Sequence, residues 1–124
     1  MRERTLLIAA ALLGATGVAL GAFGAHALAE HVRPERLATF ETAVRYQLVH
    51  AVALLALAGG SRDRPRLARA GAPLLAGVLV FSGSLYALVA SDVGAFGAIA
   101  PVGGVLLVVG WCLIAWQAVR GTET

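Results

Sequence analysis

Residues 5–29 read TLLIAAALLGATGVALGAFGAHALA, a run of 25 residues without Asp, Glu, Lys or Arg. A helix rises about 1.5 Å per residue and needs about 20 apolar residues to cross the roughly 30 Å hydrocarbon core of a bilayer. The run is longer than this requirement. We therefore predict that residues 5–29 form a membrane-spanning helix.

The same stretch resembles a secretory signal peptide in two respects. Arg2 and Arg4 precede it, and Ala25-His26-Ala27 has the small-x-small form of a cleavage site. The apolar region of a signal peptide is typically about 7 to 15 residues long, however, and this run is longer. We expect the stretch to be retained as a span.

Three further uncharged runs follow, at residues 46–61, 70–91 and 93–119. The first of these is too short to span by itself, so its helix is expected to begin earlier, near Glu41, with Arg45 at the interface or paired with Glu41. The prediction is an all-α integral membrane four-helix bundle formed by a single domain, 1–124. Its spans are expected at about 5–29, 41–60, 70–91 and 101–119.

Composition supports a membrane protein and excludes other classes. Hydrophobic residues make up 59% of the chain and mean hydropathy is +0.81, whereas roughly half of a soluble domain is apolar. Four spans within 124 residues leave no room for a large catalytic domain. The net charge of +3 comes from short arginine clusters and not from one amphipathic face, so no nucleic-acid partner is expected.

The arginines predict the orientation. With four spans, the N-terminus, the loop 61–69 and the C-terminus share one side of the membrane. That side carries Arg2, Arg4, Arg62, Arg64, Arg66, Arg69 and Arg120. The other side has only Arg33, Arg36 and Arg45, diluted by acidic residues. By the positive-inside rule, both termini are expected in the cytoplasm.

Pro101 interrupts the last apolar run, and glycines surround it. We predict that residues 93–100 form a re-entrant or interfacial loop and that the fourth span begins near Pro101. A continuous helix kinked at the proline is the alternative. Trp111 and Trp116 lie toward the predicted cytoplasmic end, where Trp116 suits the aromatic belt.

Small residues form two stripes at helical spacing. The first span carries Gly14, Gly17, Gly21 and Gly24. The third span carries Gly77, Ser84 and Ser91, seven residues apart. Such stripes allow close approach of another helix backbone. Either one is compatible with packing inside the chain or with a homo-oligomer.

Polar residues inside the apolar runs are the candidate functional residues, because a buried polar group in a bilayer is costly unless it finds a partner. On the second span, Tyr46, Gln47 and His50 share one face with Thr39. If this helix enters hydrocarbon near Thr42, His50 lies roughly 12 Å deep. We predict a polar pocket near the outer half of the bundle, with the candidate ligand-binding residues His26, Tyr46, Gln47, His50, Ser84 and Tyr86.

The same residues have a purely structural interpretation, in which they hydrogen-bond neighbouring helices. Ser82 and Ser84 are expected to bond to carbonyls of their own helix, and no carboxylate accompanies them to form a catalytic triad. His26 lies near the outer rim and His50 deeper, which argues against a shared metal or haem. No catalytic residue and no metal ligand is assigned.

Several separated motifs resemble one known family. They are GAFGAH at 21–26, TAVRYQLVHA at 42–51, GSLY at 83–86, PVGG at 101–104 and GW at 110–111. Together they resemble domain-of-unknown-function family 423, the bacterial YgdD and YwdK type related to eukaryotic transmembrane protein 256. The resemblance implies a small multi-spanning protein of the bacterial inner membrane, and it supplies no reaction or cofactor. It adds Pro101 and Trp111 to the candidate residues.

We therefore predict a non-enzymatic protein of the cytoplasmic membrane that binds a small molecule or lipid in its polar pocket, or that serves as a scaffold in a membrane assembly. The lipid bilayer is its expected partner, and no cofactor is assigned. One alternative is a small homo-oligomeric transporter or channel that uses His50, with export coupled to protonation of its imidazole. Another is a membrane anchor that holds haem, quinone or metal.

Overall fold

A computed structural model describes residues 1–120, so residues 121–124 of the predicted membrane domain lie outside the described part. The four long helices are α1 (Glu3–His26), α2 (Pro34–Gly60), α3 (Gly71–Ser91) and α4 (Ala100–Arg120). Short 3-10 helices connect them at Leu28–Glu30, Pro65–Ala70 and Gly94–Ala98. All four long helices are apolar enough to cross a membrane. The predicted all-α membrane four-helix bundle is confirmed.

Each helix packs mainly on its neighbours in sequence, α1 on α2, α2 on α3 and α3 on α4. Leu6, Leu54 and Leu74 are completely buried and form the centre of the apolar core near the end that holds the N-terminus. Lipid tails are as apolar as leucine, so burial in this core contributes through close packing and not through release of water.

The glycine stripe of α1 packs against α2 in the same chain. A Cβ on Gly17 would lie 2.7 Å from Leu48 Cδ2, and one on Gly24 would lie 2.8 Å from Phe40 Cε1. On α3, a Cβ on Gly77 would lie 2.8 Å from the backbone nitrogen of Leu107. The α3–α4 pair therefore depends on the absence of a side chain at Gly77, where the obstacle is backbone, whereas on the α1–α2 pair the Leu48 and Phe40 side chains would have to shift.

The connection between α3 and α4 is a break and not a kink. Asp92 ends α3 with a left-handed backbone, φ 57°, which aspartate tolerates better than most residues. The 3-10 helix Gly94–Ala98 follows, and Pro101 lies in the first turn of α4, where a missing N–H costs nothing. The long apolar run is thus divided into a short connection and a spanning helix.

Ion pairs fasten the connections at both ends of the bundle. The Asp92 carboxylate accepts hydrogen bonds from Arg36 Nε at 2.7 Å and Arg33 Nη2 at 3.0 Å. At the other end, Arg62 Nε donates to Glu3 Oε1 at 2.9 Å. These contacts mark the two surfaces between which the polar side chains of the spans are buried.

Candidate functional site

Gln47 on α2 joins three helices. Its Nε2 donates to the Leu13 carbonyl at 3.0 Å and to the Thr16 hydroxyl at 2.7 Å, both on α1. Its Oε1 accepts a hydrogen bond of 2.6 Å from the Tyr86 hydroxyl on α3. Both amide hydrogens and the amide oxygen are thus used, which makes Gln47 a structural junction in the buried interior.

A second bond between α2 and α3 comes from Ser82. Its hydroxyl donates to the Ala43 carbonyl at 2.7 Å, across the helix interface. The expectation that Ser82 bonds within its own helix is therefore wrong, because Ala43 has a side chain small enough to let α3 reach the α2 backbone. Ser84 does bond within its own helix, to the Phe81 carbonyl at 2.9 Å.

His50 on α2 uses both ring nitrogens. Nδ1 lies 2.7 Å from the Tyr46 carbonyl, and Nε2 lies 3.0 Å from Trp111 Nε1 on α4. An indole nitrogen only donates, so Nε2 accepts and Nδ1 carries the proton. The imidazole is therefore neutral, with its tautomer set by its two partners. Ligation of a metal through Nε2 would break the bond to Trp111.

Tyr46 lies beside His50 on α2, and its hydroxyl makes no hydrogen bond to any described residue. Its ring stacks on the imidazole with 6.2 Å between centroids and on the Phe81 ring with 4.4 Å. Within residues 1–120, no hydrogen-bond partner is found for the Tyr46 hydroxyl. Tyr46 is 39% exposed, at a groove on the bundle surface.

We call this surface the aromatic groove and define it by Tyr46, His50, Phe81 and Trp111. Pro101 and the α4 residues that follow complete its wall, and the cavity has a volume of about 550 Å³. Ligand pockets in proteins typically range from about 300 to 1,000 Å³. Among residues 1–120, no charged residue lines it. Exposed α4 valines form its rim, so it opens toward lipid.

The six residues predicted for one pocket are distributed over several places. Tyr46 and His50 line the aromatic groove, whereas Gln47 and Tyr86 line a smaller recess of about 250 Å³ on the other side of α2. Ser84 is buried and donates its hydroxyl to its own helix, and His26 is exposed at the end of α1. The family resemblance added Pro101 and Trp111 to the candidates, and both line the aromatic groove. Phe81 was missed, because a search for polar residues does not detect an aromatic wall.

Four spanning helices tied together by buried polar side chains define a small multi-pass membrane protein. A family model described as "Protein of unknown function (DUF423)" matches residues 20–104. The chain belongs to this family.

Bacterial relatives match over nearly the whole chain. The UPF0382 inner membrane protein YgdD of Escherichia coli (strain K12) is 38% identical over 97% of this chain and 93% of its own length. The UPF0382 membrane protein YwdK of Bacillus subtilis (strain 168) is 35% identical over 94% of this chain and 98% of its own. A UPF0382 membrane protein of Haemophilus influenzae is 39% identical, with 97% coverage of each. No solved structure matches the chain.

Together, the helices and the relatives identify a multi-pass bacterial inner-membrane protein. The relatives are named by location alone, so their names assign no ligand or reaction.

Proposed function

We propose that the protein binds a small, neutral and largely apolar molecule in the aromatic groove, through one hydrogen bond to the Tyr46 hydroxyl. The observation that carries the proposal is that this hydroxyl has no partner within residues 1–120. Its neighbours cannot supply one, since both nitrogens of His50 and the indole N–H of Trp111 are already paired.

The cost of an unpaired hydroxyl supports a ligand. No water is available in the bilayer core to hydrogen-bond a polar group, so each unsatisfied group there costs several kcal/mol. Tyr46 lies one helical turn from His50, near the middle of α2. A ligand carbonyl or ether oxygen would accept the hydrogen bond from the phenol.

The lining of the groove sets the remaining chemistry. A groove without charged residues favours a neutral molecule, and its valine and phenylalanine walls favour an apolar one. Since the groove opens on the lipid-facing side, the ligand would enter from within the bilayer. The bond between Trp111 and His50 holds two walls of the groove in place before the ligand arrives, which lowers the ordering cost of binding.

Binding accounts for these residues better than catalysis or proton transfer does. Within the described part of the chain, no carboxylate, serine or cysteine lines the groove to act as nucleophile or acid–base partner. A proton relay through His50 would have to break the Trp111 bond on each cycle. Binding of a haem iron or another metal ion to His50 Nε2 would require that the bond to Trp111 stay broken.

Retention of the natural ligand tests the proposal. The protein is purified in polymer-bounded native membrane discs, and molecules retained after delipidating washes are identified by mass spectrometry. We expect wild type to retain about one neutral apolar molecule per chain and Tyr46→Phe to retain roughly three- to tenfold less, the effect of one hydrogen bond in a membrane.

Tyr86→Phe is the matched control, because it removes the other tyrosine hydroxyl of the chain away from the groove. It should retain the ligand as wild type does. Equal retention by wild type and Tyr46→Phe would overturn the proposal.

A further inference from the structure

A second surface of the protein carries a pair of charges that the aromatic groove does not use. Two recesses lie between α1 and α2, one of about 320 Å³ that includes Glu41, Arg45 and Leu48, and one of about 420 Å³ that includes Val52 and Leu55. These five α2 residues follow one another at spacings of three and four, so they share one helix face. The two recesses therefore follow one another along this face, separated by the contact of Leu48 with Gly17, and together they make a shallow channel, which we call the α1–α2 groove.

Small residues of α1 make this channel concave. Gly21 and Ala25 line its upper part, and Ala11 and Gly14 line its lower part. The lower part is apolar throughout, with Leu7 and Leu55 at its sides. Its shape and lining suit an extended hydrocarbon chain that runs parallel to the helices.

The charged end of the channel lacks a partner. Glu41 and Arg45 are both exposed, and neither makes an ion pair with any residue between 1 and 120. Arg45 lies nine residues after Arg36, which binds Asp92 at the bundle surface, so its backbone is roughly 13 Å below that surface. Arg45 is only three residues after Thr42, where α2 is expected to enter hydrocarbon, and helical side chains point toward the N-terminus, so the guanidinium reaches the level of the lipid headgroups.

We propose that the α1–α2 groove binds a phospholipid with an ammonium headgroup, phosphatidylethanolamine in chemical class, with its phosphate on Arg45 and its ammonium on Glu41. A guanidinium recognises a phosphate through parallel hydrogen bonds. Glu41 lies one turn above Arg45, about 6 Å nearer the surface. This order matches the lipid, in which acyl chain, phosphate and ammonium follow one another outward.

A second copy of this chain fits the same surface less well. A two-fold axis would place Glu41 of each copy near Arg45 of the other, which satisfies the charges. It would also place one concave groove opposite another, however, and leave the recesses unfilled. A lipid satisfies the charges and fills the channel together. An anionic lipid without an ammonium would leave Glu41 facing a phosphate of like charge.

The test is native mass spectrometry of the full chain released from detergent micelles doped with equal amounts of phosphatidylethanolamine and phosphatidylglycerol. We expect one retained phospholipid per chain, with phosphatidylethanolamine preferred. Arg45→Gln should lower retention of both lipids by about tenfold or more, because it removes a charge-assisted contact with the shared phosphate. Glu41→Gln should retain phospholipid but lose the preference.

Two controls isolate the site. Arg4→Gln removes an exposed arginine at the opposite end of the bundle and should behave as wild type. Glycerophosphoethanolamine has the headgroup without acyl chains, and it should not compete with phosphatidylethanolamine for the site. Competition equal to that of the lipid would show that the acyl chains, and hence the channel, do not contribute to binding. Unchanged retention in Arg45→Gln, or a dimer that depends on Glu41 and Arg45, would overturn the proposal. Tyr46→Phe should leave phospholipid retention unchanged. The proposal for this site and the proposal for the aromatic groove are therefore tested independently.

Discussion

The indole N–H of Trp111 donates to His50 Nε2 over 3.0 Å and joins α4 to α2 near the middle of both helices. The bond fixes the histidine as a neutral acceptor and sets the position of both rings. Since Tyr46 stacks on the same imidazole, the contact also sets one wall of the aromatic groove. A side-chain hydrogen bond that holds two helices together thus also shapes the groove in which we propose that a ligand binds.

Trp111→Phe should destabilise the bundle by about 0.5–2 kcal/mol, because it leaves His50 Nε2 unpaired inside the membrane while an aromatic ring remains in place. Unfolding by a denaturing detergent, followed by far-ultraviolet circular dichroism, measures this difference. Trp116→Phe is the control, since Trp116 is exposed and its removal should change stability by less than about 0.5 kcal/mol. Equal losses in the two variants would contradict a role for the Trp111–His50 bond.

Gln47→Met should cost about 2 kcal/mol or more, because three hydrogen bonds to two neighbouring helices disappear and the Tyr86 hydroxyl loses its acceptor. Tyr86→Phe should cost about 1 kcal/mol. In a double-mutant cycle, Tyr86→Phe should cost little once Gln47 is already replaced. Strictly additive losses would show that the two side chains are not coupled.

Gly103→Ala should destabilise the packing of α3 on α4 by about 1–3 kcal/mol, the usual cost of overpacking. A Cβ there would collide with the Phe81 backbone nitrogen and lie 2.8 Å from the Gly77 carbonyl oxygen, and backbone atoms cannot move aside as a side chain can. Gly104→Ala is the neighbouring control, because its Cβ would meet only Phe81 Cδ1 at 3.9 Å. Similar unfolding curves for both alanine variants would contradict this packing.

Asp92 should make stability depend on pH. The hydrogen bond from Arg36 and the charge of Arg33 hold the pKa of the Asp92 carboxyl below its ordinary value of 3.8. Because the pKa is lower in the folded protein, the stabilisation is present above the ordinary value and is lost as pH falls through the lowered one. The difference in unfolding free energy between wild type and Asp92→Asn should therefore be constant above about pH 5 and shrink as pH falls from there through 3.8 and through the lowered pKa. A difference that stays constant over this range would contradict the ion pair.

The architecture could be predicted because a membrane imposes a strong constraint on sequence. Uncharged runs of about 20 residues mark spans directly, and Pro101 marks the first turn of α4, where the residue's missing N–H is tolerated. The start of α2 at Pro34 lies outside the apolar run, because the charged residues before Phe40 continue the helix, and it is the proline and not hydropathy that marks this first turn. Hydropathy reports where a helix meets lipid, and it does not report where the helix begins.

The polar contacts could be predicted only in part. Periodicity on α2 placed Gln47 and His50 on one face, but it gave no information on the register of the neighbouring helices. In the structure, Gln47 contacts α1 and α3, whereas His50 contacts α4. The interhelical bond of Ser82 escaped prediction for the same reason, because it depends on how closely α3 approaches Ala43. Such distances arise from the packing of whole helices.

The most direct measurement of ligand binding in the aromatic groove is quenching of Trp111 fluorescence by a brominated long-chain ketone, in a Trp116→Phe background so that one tryptophan remains. The ketone supplies an apolar chain and one acceptor for the Tyr46 hydroxyl. We predict saturable quenching that needs roughly three- to tenfold more ketone after Tyr46→Phe. Quenching that rises in proportion to ketone without saturating, and equally in both proteins, would contradict the account.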